Sequence, residues 1–230
     1  MVSKNKNKVI ILSSPHCGGP SIVQLFKDQG YIFEDPKVFP PYPLNHLSLK
    51  EILRVYQIPL EELEEYAIYQ VVRDPYKKFV SGYIAEFDRT KLPFKKYVSH
   101  MVLNFPKLAL DEEKYAKALY GEDRIKNYGL EGIRDHRQQC SFNDLYYTSP
   151  QFVIVELDNL QNPDYFKWKF DGYLLPTKKI PHINKNFNRR IKNSFALIEE
   201  FSKSQITGMY YHDFKFFNFP LDVSHYNRHI

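Results

Sequence analysis

Four consecutive large apolar residues, Val9 to Leu12, stand between polar flanks in KVIILSS (8–14). A run this short, closed by small polar residues, predicts a strand buried on both faces. The pattern then changes period. SIVQLFKDQG (21–30) has helical spacing and ends in Gly30, which predicts a helix with a glycine stop. AIYQVVR (67–73) and QFVIVELDNL (151–160) read as two further strands. Helical spacing recurs in SLKEILRVYQ (48–57), in PYKKFVSGYIAEF (75–87), through 94–135 and within 194–217. Ser48 with Glu51 three places later forms a capping-box pattern. Asp74 followed by Pro75 is a helix start, because proline in the first turn forfeits an N–H that has no partner there. PHCGGPS (15–21) is loop, and residues 34–45, with four prolines, form an irregular connection. Strands separated by helices predict an α/β fold in a single domain over residues 1–230, with a mostly parallel sheet covered on both faces.

Composition narrows the function classes. Hydrophobic content of 43% and aromatic content of 16% suit a packed globular chain without repeats. The formal charge of +5, from 32 basic and 27 acidic residues, is a mild excess. It points to a small anionic ligand and not to a nucleic-acid groove. Cys17 and Cys140 are the two cysteines, so a disulfide framework or zinc ribbon is not expected. The longest early apolar run is four residues, too short for a leader or a membrane span, and no later stretch is long enough. The expectation is a chain of a reducing, cytoplasmic compartment.

The chemistry gathers at two strand ends. Arg73, Lys77 and Ser81 are spaced by four, so they fall on one stripe at the start of a helix. A guanidinium and a hydroxyl there suit a phosphate, with the helix dipole assisting. The competing reading is an arginine closing a strand and a serine packed in a turn. The loop Pro15, His16, Cys17, Gly18, Gly19, Pro20 and Ser21 follows the first strand, and its backbone N–H groups suit a second anion. It is not a Walker A loop, because Pro20 stands where the lysine would precede the final hydroxyl residue. Two anion sites on successive strands suit a ligand with two separated phosphates.

These segments resemble the PAPS-dependent sulfotransferases, in the branch of carbohydrate and membrane-associated enzymes and their bacterial relatives. VVRDPYKKFVSGY (71–83) is similar to that family's 3′-phosphate motif, and SSPHCGGPS (13–21) falls where it has its 5′-phosphosulfate loop. NHLSLKEI (45–52), DHRQQCSF (135–142), ELDNL (156–160), IPHINKN (180–186) and YYHDFKFFNF echo further family segments in the same order. The resemblance implies a P-loop-like central parallel sheet flanked by helices, of the sulfotransferase type. It implies 3′-phosphoadenylyl sulfate (PAPS) as sulfuryl donor, adenosine 3′,5′-bisphosphate (PAP) as product, no metal, and a small-molecule or glycan hydroxyl as acceptor. Arg73 and Ser81 would hold the 3′-phosphate, and Asn184 and Lys185 would close over the nucleotide. His46 would be the general base, with His136 as the rival. His136, Arg137 and Gln139 would bind the acceptor.

Departures from the family pattern are as informative as the matches. His16 stands where the family has the loop lysine that bridges to the transferring group, and an imidazole can replace that charge only when protonated. Pro20 removes a hydroxyl and a backbone N–H from the loop, and Gln138 and Asn186 replace a usual proline and serine. Two other readings therefore stand beside sulfuryl transfer: a nucleotide-binding chain without catalysis, and a small-molecule kinase using ATP, which the missing Walker lysine disfavours. His225 and His229, spaced by four, belong to the chain end and not to a metal site.

Overall fold

A computed structural model describes residues 1–35, 37, 46–109, 138–143, 145, 147, 149–175, 198 and 200–221. Its strands are β1 (Val2–Ser3), β2 (Val9–Ser13), β3 (Ala67–Val72) and β4 (Phe152–Glu156). The described helices are α1 (Gly19–Asp28), α2 (Leu49–Tyr56), α3 (Pro75–Thr90), α4 (Phe94–Ala109), α5 (Pro163–Phe170), α6 (Glu200–Met209) and α7 (Tyr211–Phe216). The chain divides into two compact units, Met1–Arg73 with Gln139–Ile183, and Asp74–Gln138 with Asn184–Ile230.

The first unit holds a four-stranded sheet in the order β1-β2-β3-β4. β1 runs antiparallel to β2, whereas β2, β3 and β4 are parallel neighbours. Alternate strand residues enter opposite cores. Val9, Ile11, Tyr69, Val71 and Val155 pack with Ile22 and Phe26 of α1 and with Phe166 and Phe170 of α5. Ile10, Leu12 and Ile68 pack with Leu49, Ile52, Val55 and Tyr56 of α2. Helices on both faces explain why β2 and β3 read as largely apolar runs without alternation. The fold is thus α/β, a mixed sheet flanked by helices. Phe26 anchors the α1 face, with ring centroids of Tyr31, Tyr69 and Phe170 at 4.9, 5.5 and 5.8 Å. Burying such a ring contributes roughly 1.5–3 kcal/mol.

Helix ends follow local chemistry. Ser48 Oγ accepts from the Glu51 N–H while the Glu51 carboxylate accepts from the Ser48 N–H at 2.7 Å, the expected capping box. α1 ends as Gly30 takes φ +84°, its N–H donating to Lys27 O at 2.9 Å and that of Tyr31 to Phe26 O at 3.1 Å. That pair is a Schellman motif, which a left-handed glycine permits. Three elements differ from the sequence reading. α1 begins at Gly19, two residues before Ser21, because Gly18 and not Ser21 is its cap. The third strand stops at Glu156, followed by a 3₁₀ turn at Leu157–Asn159. α5 was not expected; Asn162 caps it, accepting from the Asp164 and Tyr165 N–H groups.

The described elements of the second unit are helices. Tyr76, Phe79, Val80 and Tyr83 of α3 pack with Phe94, Tyr97 and Met101 of α4 and with Ile206, Met209, Tyr210 and Phe214 from α6 through α7. Asp74 caps α3 as expected, accepting from the Tyr76 and Lys77 N–H groups at 3.0 and 3.1 Å. Lys78 is fully buried, its ammonium 5.1 Å from the centre of the Tyr210 ring. Among the described residues no helix is long and apolar enough to cross a membrane.

Candidate functional site

Register decides where the site lies. Ser13 pairs with Val71 and Val72 with Glu156, so the three parallel strands end nearly level. Loops leaving the carboxyl ends of parallel strands are the usual place for ligands in such sheets. Here they are the loop 14–18 after β2, Arg73 after β3 and the turn Leu157–Asn159 after β4.

The first loop is tightly wound. His16 and Gly18 both lie in the left-handed region, at φ 64° and 76°. For a non-glycine residue such as His16 this conformation is uncommon and points to a constraint from its surroundings. A Cβ on Gly18 would meet the Leu157 side chain at 2.6 Å, and one on Gly19 would meet Ser13 Oγ and Cβ at 2.3 and 2.5 Å. Gly19 is therefore required by close packing and Gly18 by its left-handed backbone. The Ser21 and Ile22 N–H groups donate to Gly18 O, and Pro20 has none to give. The N–H groups of Gly18 and Gly19 make no loop or cap hydrogen bond to backbone among the described residues.

Arg73 links the loops. Its Nη1 donates to His16 O at 3.2 Å, and its Nε lies 3.9 Å from Asp158 Oδ1. The side chain is only 12% exposed, and the buried Nε–H has no hydrogen-bond acceptor among the described residues. A guanidinium with donors left over, at the end of a parallel strand, is equipped to take an anion.

Gln139 holds that arginine by its backbone. Its Oε1 accepts from the Arg73 N–H at 2.7 Å and from the Cys17 thiol at 2.9 Å, and its Nε2 donates to Arg73 O at 2.7 Å. The Gln139 carbonyl accepts from Gln70 Nε2 at 2.7 Å. Gln139 is fully buried, and its carboxamide meets Arg73 and Cys17. Ser14 Oγ lies 2.9 Å from Cys17 Sγ and extends this network.

His46 reaches the same strand end, with Nδ1 3.2 Å from Ser13 O. A carbonyl only accepts, so Nδ1 carries the proton and Nε2 of the neutral ring is the basic nitrogen. Beside β4, Glu156 Oε2 accepts from Asn159 Nδ2 at 2.7 Å, and the Glu156 N–H donates to Tyr165 Oη at 2.8 Å. Burial raises the Glu156 carboxyl above its ordinary range, opposed by the charge of Lys169. Burial likewise lowers the Lys169 ammonium and pushes Tyr165 up to about 12.

The structure thus brings together His16, Cys17, Gly18, Gly19, Arg73 and Gln139, with His46 joined through Ser13. Pro15 is buried in the loop, while Pro20 and Ser21 open α1. Ser81 is a buried residue of α3, in the second unit. His136, Arg137, Asn184 and Lys185 lie outside the described residues, as do His225 and His229. Sequence reasoning missed Gln70, whose signal was a lone amide inside the apolar run AIYQVVR, and Asp158, which lay unassigned within the ELDNL segment. The chain matches no family model, no curated protein and no solved structure.

Proposed function

We propose that the chain is a sulfotransferase, moving a sulfuryl group from PAPS to a hydroxyl, with a carbohydrate as the acceptor class. The observation that carries the reading is the Arg73 guanidinium bonded to His16 O. It joins a glycine loop after β2 to a cation after the neighbouring parallel strand β3. A donor with a 5′-phosphosulfate and a 3′-phosphate needs two such anion sites. In this reading the Gly18 and Gly19 N–H groups hold the 5′ end and Arg73 takes the 3′-phosphate, on a P-loop-like sheet of the sulfotransferase type.

The acceptor oxygen attacks sulfur in line. Its bond to sulfur forms as the bond from sulfur to the 5′-phosphate oxygen breaks, and PAP leaves with that electron pair. His46 Nε2 receives the hydroxyl proton, and a protonated His16 supplies charge at the leaving oxygen. Such a step depends mainly on positioning and charge stabilisation. A reducing cytoplasmic compartment belongs to the proposal, since Cys17 and Cys140 are free thiols and Cys17 serves as a hydrogen-bond donor.

A nucleotide-binding role without turnover is the second reading, favoured by Pro20 and by the use of the Ser21 N–H within α1. Incubation with PAPS and a panel of carbohydrate acceptors separates the two. Sulfated product and PAP should accumulate in equal amounts, with no phosphorylated product from ATP. Tight PAP binding without product would favour the binding module, and phosphorylation by ATP would favour a kinase.

A further inference from the structure

We propose that Gln139 is a positioning residue for the 3′-phosphate site: its carboxamide fixes the backbone of Arg73 and so aims the guanidinium at the phosphate. The inference rests on the sulfotransferase reading and adds to it a residue with no direct ligand contact. Three observations carry it. Gln139 makes two hydrogen bonds of 2.7 Å to one residue, accepting from the Arg73 N–H and donating to the Arg73 carbonyl. This is the reciprocal pairing of a β-ladder, supplied by a side chain at the point where β3 has ended at Val72. The same Oε1 accepts from the Cys17 thiol, one residue from the carbonyl that receives Arg73 Nη1. Gln139 therefore ties Arg73 and the glycine loop to one group. Finally, its own carbonyl is held by Gln70 Nε2 from within β3, and both amides are buried. The clamp is anchored to the sheet and not to a mobile surface.

An amide is the group this geometry requires. Oε1 must accept from an N–H while Nε2 donates to a C=O on the same residue. A carboxylate at 139 would turn an anionic oxygen toward the Arg73 carbonyl, and a thioether would make neither bond.

The experiment measures, by calorimetry, the affinity ratio of PAP over adenosine 5′-monophosphate, which isolates the 3′-phosphate. In the wild-type chain the ratio should be about ten to a hundred, as expected for a charge-assisted contact. Gln139→Met should lower it toward the value of Arg73→Ala while leaving affinity for the monophosphate nearly unchanged. Added to Arg73→Ala, the same substitution should change the ratio no further. Gln139→Glu, which keeps Oε1 as acceptor but loses the donor, serves as the second variant should the methionine variant fail to fold, with the same expected loss. A ratio preserved in the folded Gln139 variants would overturn the inference while leaving the sulfotransferase reading intact. So would an equal loss of affinity for both nucleotides, the mark of a merely structural role. A wild-type ratio near one would remove the reading and the inference together.

Discussion

The proposed role of His46 as a base rests on the carbonyl it touches. With Nδ1 donating to Ser13 O at 3.2 Å, the tautomer that presents Nε2 as acceptor is favoured before any substrate arrives. His46→Ala should lower kcat by about 10²-fold or more while PAP affinity stays nearly constant, since proton removal matters in the transition state. Steady-state kinetics on a variant with a wild-type circular dichroism spectrum would check this, and near-normal turnover would remove His46 from the mechanism. Glu156 gives a different kind of expectation. Burial raises its carboxyl from the ordinary 4.5, so the native state holds that proton more tightly than the unfolded chain. Its contribution to stability is then fully present below 4.5 and is lost as pH rises through the raised value. Glu156→Gln removes this loss while keeping an acceptor for Asn159. In thermal melts the difference between variant and wild type should shift in the variant's favour between about pH 4 and about pH 7. A gap that stays constant across that range would contradict the burial argument.

At the level of elements, the loop after β2 is shaped by the packing of α1 against its own strand. Gly19→Ala would drive a Cβ into Ser13 Oγ and Cβ, and Ser13 Cβ is fixed by the backbone of β2. The cost should be about 1–3 kcal/mol by denaturant unfolding, as for other overpacked interiors. Ser13→Gly in the same chain should recover part of it; no recovery would place the strain elsewhere. This element also marks the boundary of what was legible in the sequence. The strand, the loop and the following helix could be read from spacing, because apolar period and turn residues are local signals. The caps at Ser48 and Asp74 were legible for the same reason, and Asn162-Pro163 carried an equally local signal for α5 that went unused. The glycine pair was another matter. Gly18 and Gly19 read as a ligand cradle, yet their immediate constraints are Leu157 and Ser13, and the Leu157 contact depends on the tertiary approach of the turn after β4. Gln139 was singled out by position only, since a buried amide and a substrate-facing one look alike in sequence.

For the whole molecule, the decisive feature is the sheet order β2-β3-β4 with all three strands parallel. Parallel pairing in this register leaves three carboxyl ends nearly level at one edge. The glycine loop, Arg73 and Asp158 meet there because of topology, although they are distant in sequence. The β1 strand escaped notice because its two residues are defined only by pairing with β2. The central claim is that this edge recognises a nucleotide with a 3′-phosphate through Arg73. It is tested most directly by calorimetric titration of the wild-type and Arg73→Ala chains with PAP and with adenosine 5′-monophosphate. The account predicts that Arg73→Ala weakens PAP by about ten- to a hundredfold, or about 1.5–3 kcal/mol, while the monophosphate is nearly unaffected. Equal losses for both nucleotides, or a wild-type chain that does not bind PAP, would contradict it.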